Sequence, residues 1–292
     1  MIKVKLNRIP TGISSLDTII HGGFPSGSMV LLVGDVGAGN TEFAYTSAIM
    51  LSSLKNEGTK YNAAKKHLES FMTERDVLKI PGKICYISFV HSKKEILMEL
   101  ERSFPPEFSE TLSNNLFFKD FSSIYFKTSI SPALNVEGNT DINILKSVGG
   151  VKGLLKELVY ILDSNAPHNL VIIDSLTNLI RICNRSMDWQ DLISFLEDLQ
   201  QRSKKWDGLV YLPLGKNIFG IMKEEEVMDV ADGVLMFEWV QEGFSRQQTM
   251  YIKKFRGLMP HLTKDNIMRF DTKVTNTDGF VVVNVKRISG RK

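Results

Sequence analysis

The sequence predicts an α/β fold in which helices flank a mostly parallel central sheet. Short, continuous apolar runs alternate along the chain with stretches of helical periodicity, and such runs are typical of strands buried on both faces. Strands and helices that alternate in this order favour a doubly wound sheet. The C-terminal stretch has β-rich runs joined by turn residues, and it predicts antiparallel strands that extend the edge of that sheet.

The individual elements follow from these patterns in chain order. Buried strands are predicted at 29–33, 84–90, 170–173, 209–214 and 234–237. Helices are predicted between them at 41–54, 93–104, 151–164 and 187–206. The antiparallel strands are predicted at 249–255 and 280–288, with Asp278-Gly279 as a turn between them.

We expect a single domain over residues 1–292, interrupted by insertions at about 55–82 and 105–150. A length of 292 residues allows one or two domains. Both interrupting segments are rich in polar and turn-forming residues, and neither holds enough apolar residues for a core of its own. The sequence therefore favours loops on one core over a second domain.

The composition is that of an ordinary globular protein, with 43% hydrophobic residues. It excludes a disordered chain, a collagen-like repeat and a coiled coil. Lys and Arg number 36 and Asp and Glu number 33, so the net charge is only +3. Nucleic-acid binding is thus possible but unsupported by charge.

Cellular location is predicted from what the sequence lacks. Cys85 and Cys183 lie in or just after apolar runs and are interpreted as buried, reduced thiols. The first residues carry charges with no apolar stretch behind them, unlike a signal peptide. No apolar run approaches the roughly 20 residues that a membrane helix needs. We expect a cytoplasmic protein without membrane contact.

The most informative stretch is GDVGAGNT at 34–41, because it follows a predicted strand and opens a predicted helix. That context favours a phosphate-binding loop, in which glycines bring backbone N–H groups close to phosphate oxygens at a helix N-terminus. The hydroxyl of Thr41 is expected to bind Mg²⁺. A turn without any ligand is the alternative. The candidate nucleotide-binding residues are Gly34, Asp35, Val36, Gly37, Ala38, Gly39, Asn40, Thr41 and Glu42.

Asn40 occupies the position at which the pattern G-x-x-x-x-G-K-[ST] places a lysine. Asparagine is neutral, and a charge-assisted hydrogen bond contributes about 1.5–3 kcal/mol against about 1 kcal/mol for a neutral one. We expect nucleotide to bind about tenfold more weakly or worse. Phosphoryl transfer should suffer more, because charge stabilisation carries that reaction.

Four motifs occur in the order known from one ATPase family. They are the run 8–28 that leads into the loop, LVIIDSLT at 170–177, VADGVL at 230–235 and KKFRGLMPH at 253–261. Together they resemble the RecA-like ATPases of the KaiC and archaeal RadA-paralogue type. The resemblance implies a RecA-like P-loop NTPase fold, ATP and Mg²⁺ as weakly bound cofactors, an archaeal source, and homo- or hetero-oligomers of RecA-like subunits.

Asp174 ends the predicted strand that resembles the Walker B strand of this family. The resemblance implies that Asp174 orients Mg²⁺ through water, and the carboxyl edge of an α/β sheet is where ligands bind. A turn or helix-capping aspartate is the alternative interpretation.

The second predicted strand departs from the family pattern. Relatives carry two adjacent glutamates there, one of which activates water, whereas this chain has Val90 and His91. His91 is a weak candidate for accepting a proton, and a polar residue at a strand end is the favoured interpretation.

Lys254 and Arg256 fall on one face of a predicted strand. In relatives the matching pair reaches the γ-phosphate of a neighbouring subunit, which requires a ring. An exposed edge strand protected by lysine is the equally weighted alternative. His261 is placed nearby by the resemblance alone.

The stretch 214–228 corresponds to the loops with which RecA-like proteins bind DNA. It contains Lys216 and Lys223 but also Glu224, Glu225 and Glu226, which would repel a phosphate backbone. The basic C-terminus is interpreted as a solvated tail more readily than as a nucleic-acid site.

Three functions remain open. The first is a nucleotide-binding regulatory or scaffold subunit with weak or no hydrolysis, since both the lysine and the glutamate pair are absent. The second is an active ATPase of DNA repair or signalling that a partner subunit completes. The third is a structural RecA-fold subunit that binds no nucleotide.

Overall fold

The computed structural model describes residues 6–56, 66–70, 72, 76–122, 150–259 and 267–287. The predicted insertion at 55–82 lies partly outside these ranges. His261 lies outside them, and so do Arg291 and Lys292 of the basic C-terminus.

A nine-stranded sheet organises the molecule. Its strands lie in the order β12 (Gly279–Arg287), β11 (Ile267–Thr275), β10 (Ser245–Phe255), β9 (Gly233–Glu242), β3 (Ser28–Gly34), β8 (Leu209–Gly215), β7 (Leu170–Asp174), β5 (Ile84–Ser88) and β6 (Leu116–Asp120). Six of its strands are mutually parallel, from β9 through β3 to β6. Every residue of β3 is buried, as expected for a strand covered on both faces.

The C-terminal strands extend this sheet in the antiparallel sense. They are β10, β11 and β12. The predicted α/β class with antiparallel C-terminal strands is therefore confirmed.

Helices cover both faces of the sheet, and the sheet separates two apolar cores. They are α1 (Ser14–Ile19), α2 (Asn40–Asn56), α3 (Lys93–Ser103), α4 (Pro106–Asn114), α5 (Gly150–Asn165), α6 (Leu176–Cys183), α7 (Trp189–Trp206) and α8 (Ile221–Val230). Helices α5, α6 and α7 pack on one face of the sheet, and α2, α3 and α4 pack on the other.

A second, three-stranded sheet was not predicted from the sequence. Strand β1 (Leu6–Ile9) pairs with β2 (Phe24–Pro25) and with β4 (Asp76–Leu78). A buried ion pair joins β1 to β4, because Arg8 Nε lies 3.2 Å from Asp76 Oδ1. These strands are two to four residues long, too short to show a period in the sequence.

The second predicted insertion begins later than expected. Residues 106–120 form α4 and β6, and β6 is the edge strand of the main sheet, parallel to β5. Strand β6 was not predicted because its sequence, LFFKD, is only half-buried. Helix α4 was not predicted because Pro105-Pro106 is typical of a turn, whereas proline here starts a helix. Residues 123–149 lie outside the described ranges.

Two further expectations concern thiols and membranes. Cys85 and Cys183 are both buried and free, as predicted. Among the described helices, none combines the length and the apolar character that crossing a bilayer demands.

Candidate functional site

The candidate site lies where the parallel strands end. The phosphate loop follows β3 in the middle of the sheet, and Asp174 ends β7, with β8 between the two strands. Because parallel strands end at the same edge, Thr41 at the start of α2 and Asp174 face one cavity.

Two glycines give the loop its shape. Gly37 and Gly39 have φ values of +70° and +103°, a region that favours glycine. Ala38 N–H donates to the Asp35 carbonyl at 3.0 Å and closes a tight turn. Within the described part of the chain, the N–H groups of Gly37, Gly39, Asn40 and Thr41 donate to no acceptor. Unsatisfied N–H groups at a helix N-terminus are the donors that phosphate oxygens require.

Side chains from β9 and β10 hold the loop from outside. Trp239 Nε1 donates to the Val36 carbonyl at 3.1 Å, and Gln248 Nε2 donates to the Gly37 carbonyl at 2.9 Å. Both bonds use carbonyl oxygens and leave the loop N–H groups unused. Sequence analysis missed these two residues, which lie about 200 positions from the loop and carry no local motif.

Asn40 is turned back onto β3. Its Nδ2 donates to the Leu32 carbonyl at 3.2 Å, and its side chain packs against Gly34. A Cβ atom at residue 34 would lie 2.7 Å from Asn40 Cγ. The side-chain amide of Asn40 is thus hydrogen-bonded within the protein and does not point out of the loop.

A cavity of about 450 Å³ adjoins the loop and is lined by four of the polar candidates, among them Glu42. Thr41, Asp174 and His91, which were singled out from the sequence, all line it. The full lining is Thr41, Glu42, Tyr45, Val90, His91, Glu99, Asp174, Asn178 and Arg181.

Asp174 is held by a tyrosine. Tyr86 on β5 donates its hydroxyl to Asp174 Oδ2 at 2.5 Å, and Tyr86 also hydrogen-bonds to Tyr45. Burial raises the pKa of Asp174, while the hydrogen bond from Tyr86 and the charge of His91 act in the opposite direction. One carboxylate oxygen is thereby fixed in place and the other is left for a ligand.

The cavity is rich in carboxylates. Glu42, Glu99 and Asp174 line it together with the guanidinium of Arg181. Partial desolvation and the neighbouring carboxylates raise the pKa of Glu99, against the effect of His91. Sequence analysis did not single out Glu99 or Arg181, because both read as exposed polar positions on amphipathic helices.

These residues fit a magnesium ion that arrives with a nucleotide. In the described ranges, no three His, Cys, Asp or Glu side chains are grouped to hold a metal. Mg²⁺ is commonly bound by one or two protein oxygens together with substrate phosphates and water. Thr41 and Asp174 provide such oxygens beside the loop.

Lys254 and Arg256 lie at the opposite end of the strands from the loop. Phe255, between them, pairs with Gly233 at the start of β9, which in turn pairs with Val30 near the start of β3. Lys254 Nζ donates to the Asp229 carbonyl at 2.5 Å, and Arg256 is 64% exposed. Neither residue reaches the loop of its own chain.

Each glutamate of the acidic triplet has a partner within the chain. Glu224 is buried and accepts from the N–H groups of Ile218 at 2.7 Å and Phe219 at 3.1 Å. Glu225 pairs with Lys253 at 2.5 Å, and Glu226 accepts from Trp189 Nε1 at 2.6 Å. The triplet therefore fixes α8 and the turn before it.

The chain is similar to known proteins in part of its sequence and in its fold. Residues 9–116, which include the loop and its helix, match the model of the KaiC family of ATPases. Over these residues the chain is similar to the KaiC ATPases. A crystal structure of a KaiC-like protein from the hyperthermophilic archaeon Pyrococcus horikoshii OT3 matches with a TM-score of 0.60 at 17% identity. The match covers 96% of this chain and 100% of the archaeal chain, so the RecA-like fold is shared over its length. No curated protein sequence matches.

The matched residues contain the glycine loop and Thr41, whereas Asp174 lies beyond them, at the end of β7.

Proposed function

We propose that this KaiC-like chain binds a magnesium nucleotide, ATP, as a regulatory or scaffold subunit with weak or no hydrolysis. The observation that carries the proposal is that Thr41 and Asp174 line one cavity beside a loop whose N–H groups have no acceptor among the described residues. Such N–H groups favour an anion, and the adjacent hydroxyl and carboxylate favour Mg²⁺.

The weakness of hydrolysis follows from two absences in the sequence. Asn40 brings no charge to the terminal phosphates and is bonded to Leu32. The position that carries the water-activating glutamate in relatives is held by Val90 and His91. Because phosphoryl transfer depends on charge stabilisation and on an oriented nucleophile, losing both devices should cost several orders of magnitude in rate.

An active ATPase is the alternative function, and one observation favours it. Glu99 and His91 line the same cavity as Thr41 and Asp174. Both side chains can exchange a proton, although neither occupies the place in the sequence where relatives carry the glutamate pair. Burial raises the pKa of Glu99 above its usual value, which is the direction that favours a role as a proton donor.

Oligomer formation belongs to the same proposal. The exposed Arg256 and the tethered Lys254 act on nucleotide only if a neighbouring copy or a related subunit presents its loop to them. We infer an assembly in which this edge of the sheet faces the loop edge of the next RecA-like subunit.

Two measurements test the proposal. Calorimetric titration with Mg-ATP should give a dissociation constant below about 1 mM, since several loop N–H groups remain for the phosphates. If no heat of binding is measured at saturating ATP, the chain is a structural RecA-fold subunit that binds no nucleotide. Single-turnover hydrolysis with excess protein should stay near the uncatalysed rate, and a rate typical of kinases, about 1 s⁻¹ or more, would favour the ATPase.

A further inference from the structure

We propose that Arg181 binds the terminal phosphate of the nucleotide and supplies the positive charge that Asn40 does not. This inference rests on the proposed nucleotide-binding function.

Helix α6 sets the direction of Arg181. The helix starts directly after Asp174, and Ser175 caps it by accepting from Asn178 N–H at 3.4 Å. Leu179 and Ile180 are fully buried against the sheet, which fixes the rotation of the helix. Residues three apart share a helix face, so Asn178 and Arg181 both face the cavity.

The other cations near the loop are engaged. Lys216 Nζ lies 2.6 Å from Glu238 Oε1, and the Arg246 guanidinium lies 4.8 Å from the centre of the Trp239 ring. In the part of the chain that the structure describes, Arg181 has neither an ion pair nor a hydrogen bond through its guanidinium.

The cavity places this unengaged charge where the terminal phosphate belongs. Arg181 lines it with Thr41 and Asp174, the residues that would hold a magnesium ion arriving with the nucleotide. A guanidinium is planar, permanently charged and able to donate two parallel hydrogen bonds to phosphate oxygens. Glu42, Glu99 and Asp174 line the same cavity, and none of them lies within ion-pair distance of Arg181 among the described contacts.

Arg181 should therefore distinguish ATP from ADP. A phosphate contact that exists only with the third phosphate affects ATP affinity and leaves ADP affinity nearly unchanged. Losing a charged, bidentate contact should weaken binding tenfold or more.

The test measures calorimetric affinities for Mg-ATP and Mg-ADP in wild type, Arg181→Gln, Arg181→Lys and Arg185→Gln. Arg185 is exposed, just beyond α6 and outside the cavity, and serves as the charge-matched control. Arg181→Gln should weaken Mg-ATP at least tenfold and Mg-ADP less than threefold. Arg181→Lys should fall between wild type and Arg181→Gln, and Arg185→Gln should match wild type. Thermal unfolding checks that each variant is folded.

A double variant makes the test specific. If Arg181 substitutes for the missing loop cation, Asn40→Lys should tighten Mg-ATP binding more in the Arg181→Gln background than in the wild-type background. An equal gain in the two backgrounds would overturn this substitution. Equal losses for ATP and ADP, or equal affinities of Arg181→Gln and wild type for Mg-ATP, would overturn the role of Arg181 and leave nucleotide binding intact. Failure of the wild type to bind either nucleotide would overturn the proposed function together with this inference.

Discussion

Asn40 Nδ2 donates to the carbonyl oxygen of Leu32 at 3.2 Å, eight residues back along the chain on the strand that enters the loop. The glycine at position 34 makes this possible, because a side chain there would occupy the place of the Asn40 carboxamide. The loop therefore has the glycines and the helix N-terminus of a phosphate-binding loop, while Asn40, in the lysine position of that pattern, is hydrogen-bonded to the protein.

Replacing Asn40 with lysine should tighten Mg-ATP binding about tenfold, since a charge-assisted contact to phosphate exceeds a neutral one by about 1–2 kcal/mol. Hydrolysis should recover little, because Val90 and His91 still stand in place of the glutamates. Calorimetry and single-turnover hydrolysis measure the two effects.

Asn40→Met is the matched control for this change. Methionine is close to lysine in length and carries no charge, so it removes the bond to Leu32 without adding a cation. If Asn40→Met binds Mg-ATP as tightly as Asn40→Lys, the gain comes from releasing the bond to Leu32. If neither differs from wild type, the loop does not receive phosphate.

Asp174→Asn should abolish the contribution of magnesium to ATP binding, because the neutral amide is a poor ligand for Mg²⁺ or its water. ATP affinity measured with Mg²⁺ and with EDTA should differ in wild type and should become equal in the variant. A persisting magnesium effect would assign the metal to other residues.

Tyr86→Phe tests the hydrogen bond to Asp174 while keeping the carboxylate. The hydroxyl of Tyr86 lowers the pKa of Asp174, so its removal should raise that pKa further above the usual value. Since only the ionised carboxylate orients Mg²⁺, the loss of Mg-ATP affinity should be larger at pH 6 than at pH 8. A loss that is equal at both values would indicate a packing defect of the buried ring.

Gly39→Ala should destabilise the protein more than Gly37→Ala does. Both glycines have positive φ values, and an alanine in that region costs about 1–2 kcal/mol. A Cβ on Gly39 would lie 3.1 Å from the Phe280 ring, whereas one on Gly37 meets nothing within 4 Å. Urea unfolding should thus show the larger loss for Gly39→Ala, because its φ value also lies farther from the left-handed region that alanine can adopt. Equal losses would mean that Phe280 moves aside without cost.

Local sequence patterns predicted the parts of this molecule that carry local signals. The buried strands are visible because continuous apolar runs suit no exposed element, and the loop is visible because its glycines lie between a strand and a helix. Trp239 and Gln248 contact the loop only through the pairing of β9, β10 and β3, which no short window of sequence encodes.

The edge strand β6 and the cavity also depend on contacts between distant parts of the chain, which no local sequence pattern predicts. Strand β6 has a half-buried, mixed composition, so its place in the sheet depends on its pairing with β5. Glu99 and Arg181 come from different helices, and only the folded chain brings them to one cavity with Thr41.

Asp17 is a buried carboxylate that accepts from Thr11 N–H at 2.7 Å and from Gly12 N–H at 3.0 Å. Burial raises its pKa from 3.8 to about 7, although both hydrogen bonds act to lower it. Between these two values the folded chain binds more protons than the unfolded chain. The contribution of Asp17 to the free energy of unfolding is therefore present at pH 4 and falls as the pH rises to 7.

Urea unfolding of wild type and Asp17→Asn from pH 4 to pH 8 measures this contribution. The variant should be less stable at pH 5, because an amide offers one oxygen where two N–H groups need acceptors, and its stability should change less with pH. Asp191→Asn, at an exposed aspartate of α7, is the control and should follow the wild-type profile. If Asp17→Asn and wild type keep parallel profiles across this range, Asp17 titrates alike in the folded and unfolded chains, and the two backbone N–H groups offset the cost of its burial.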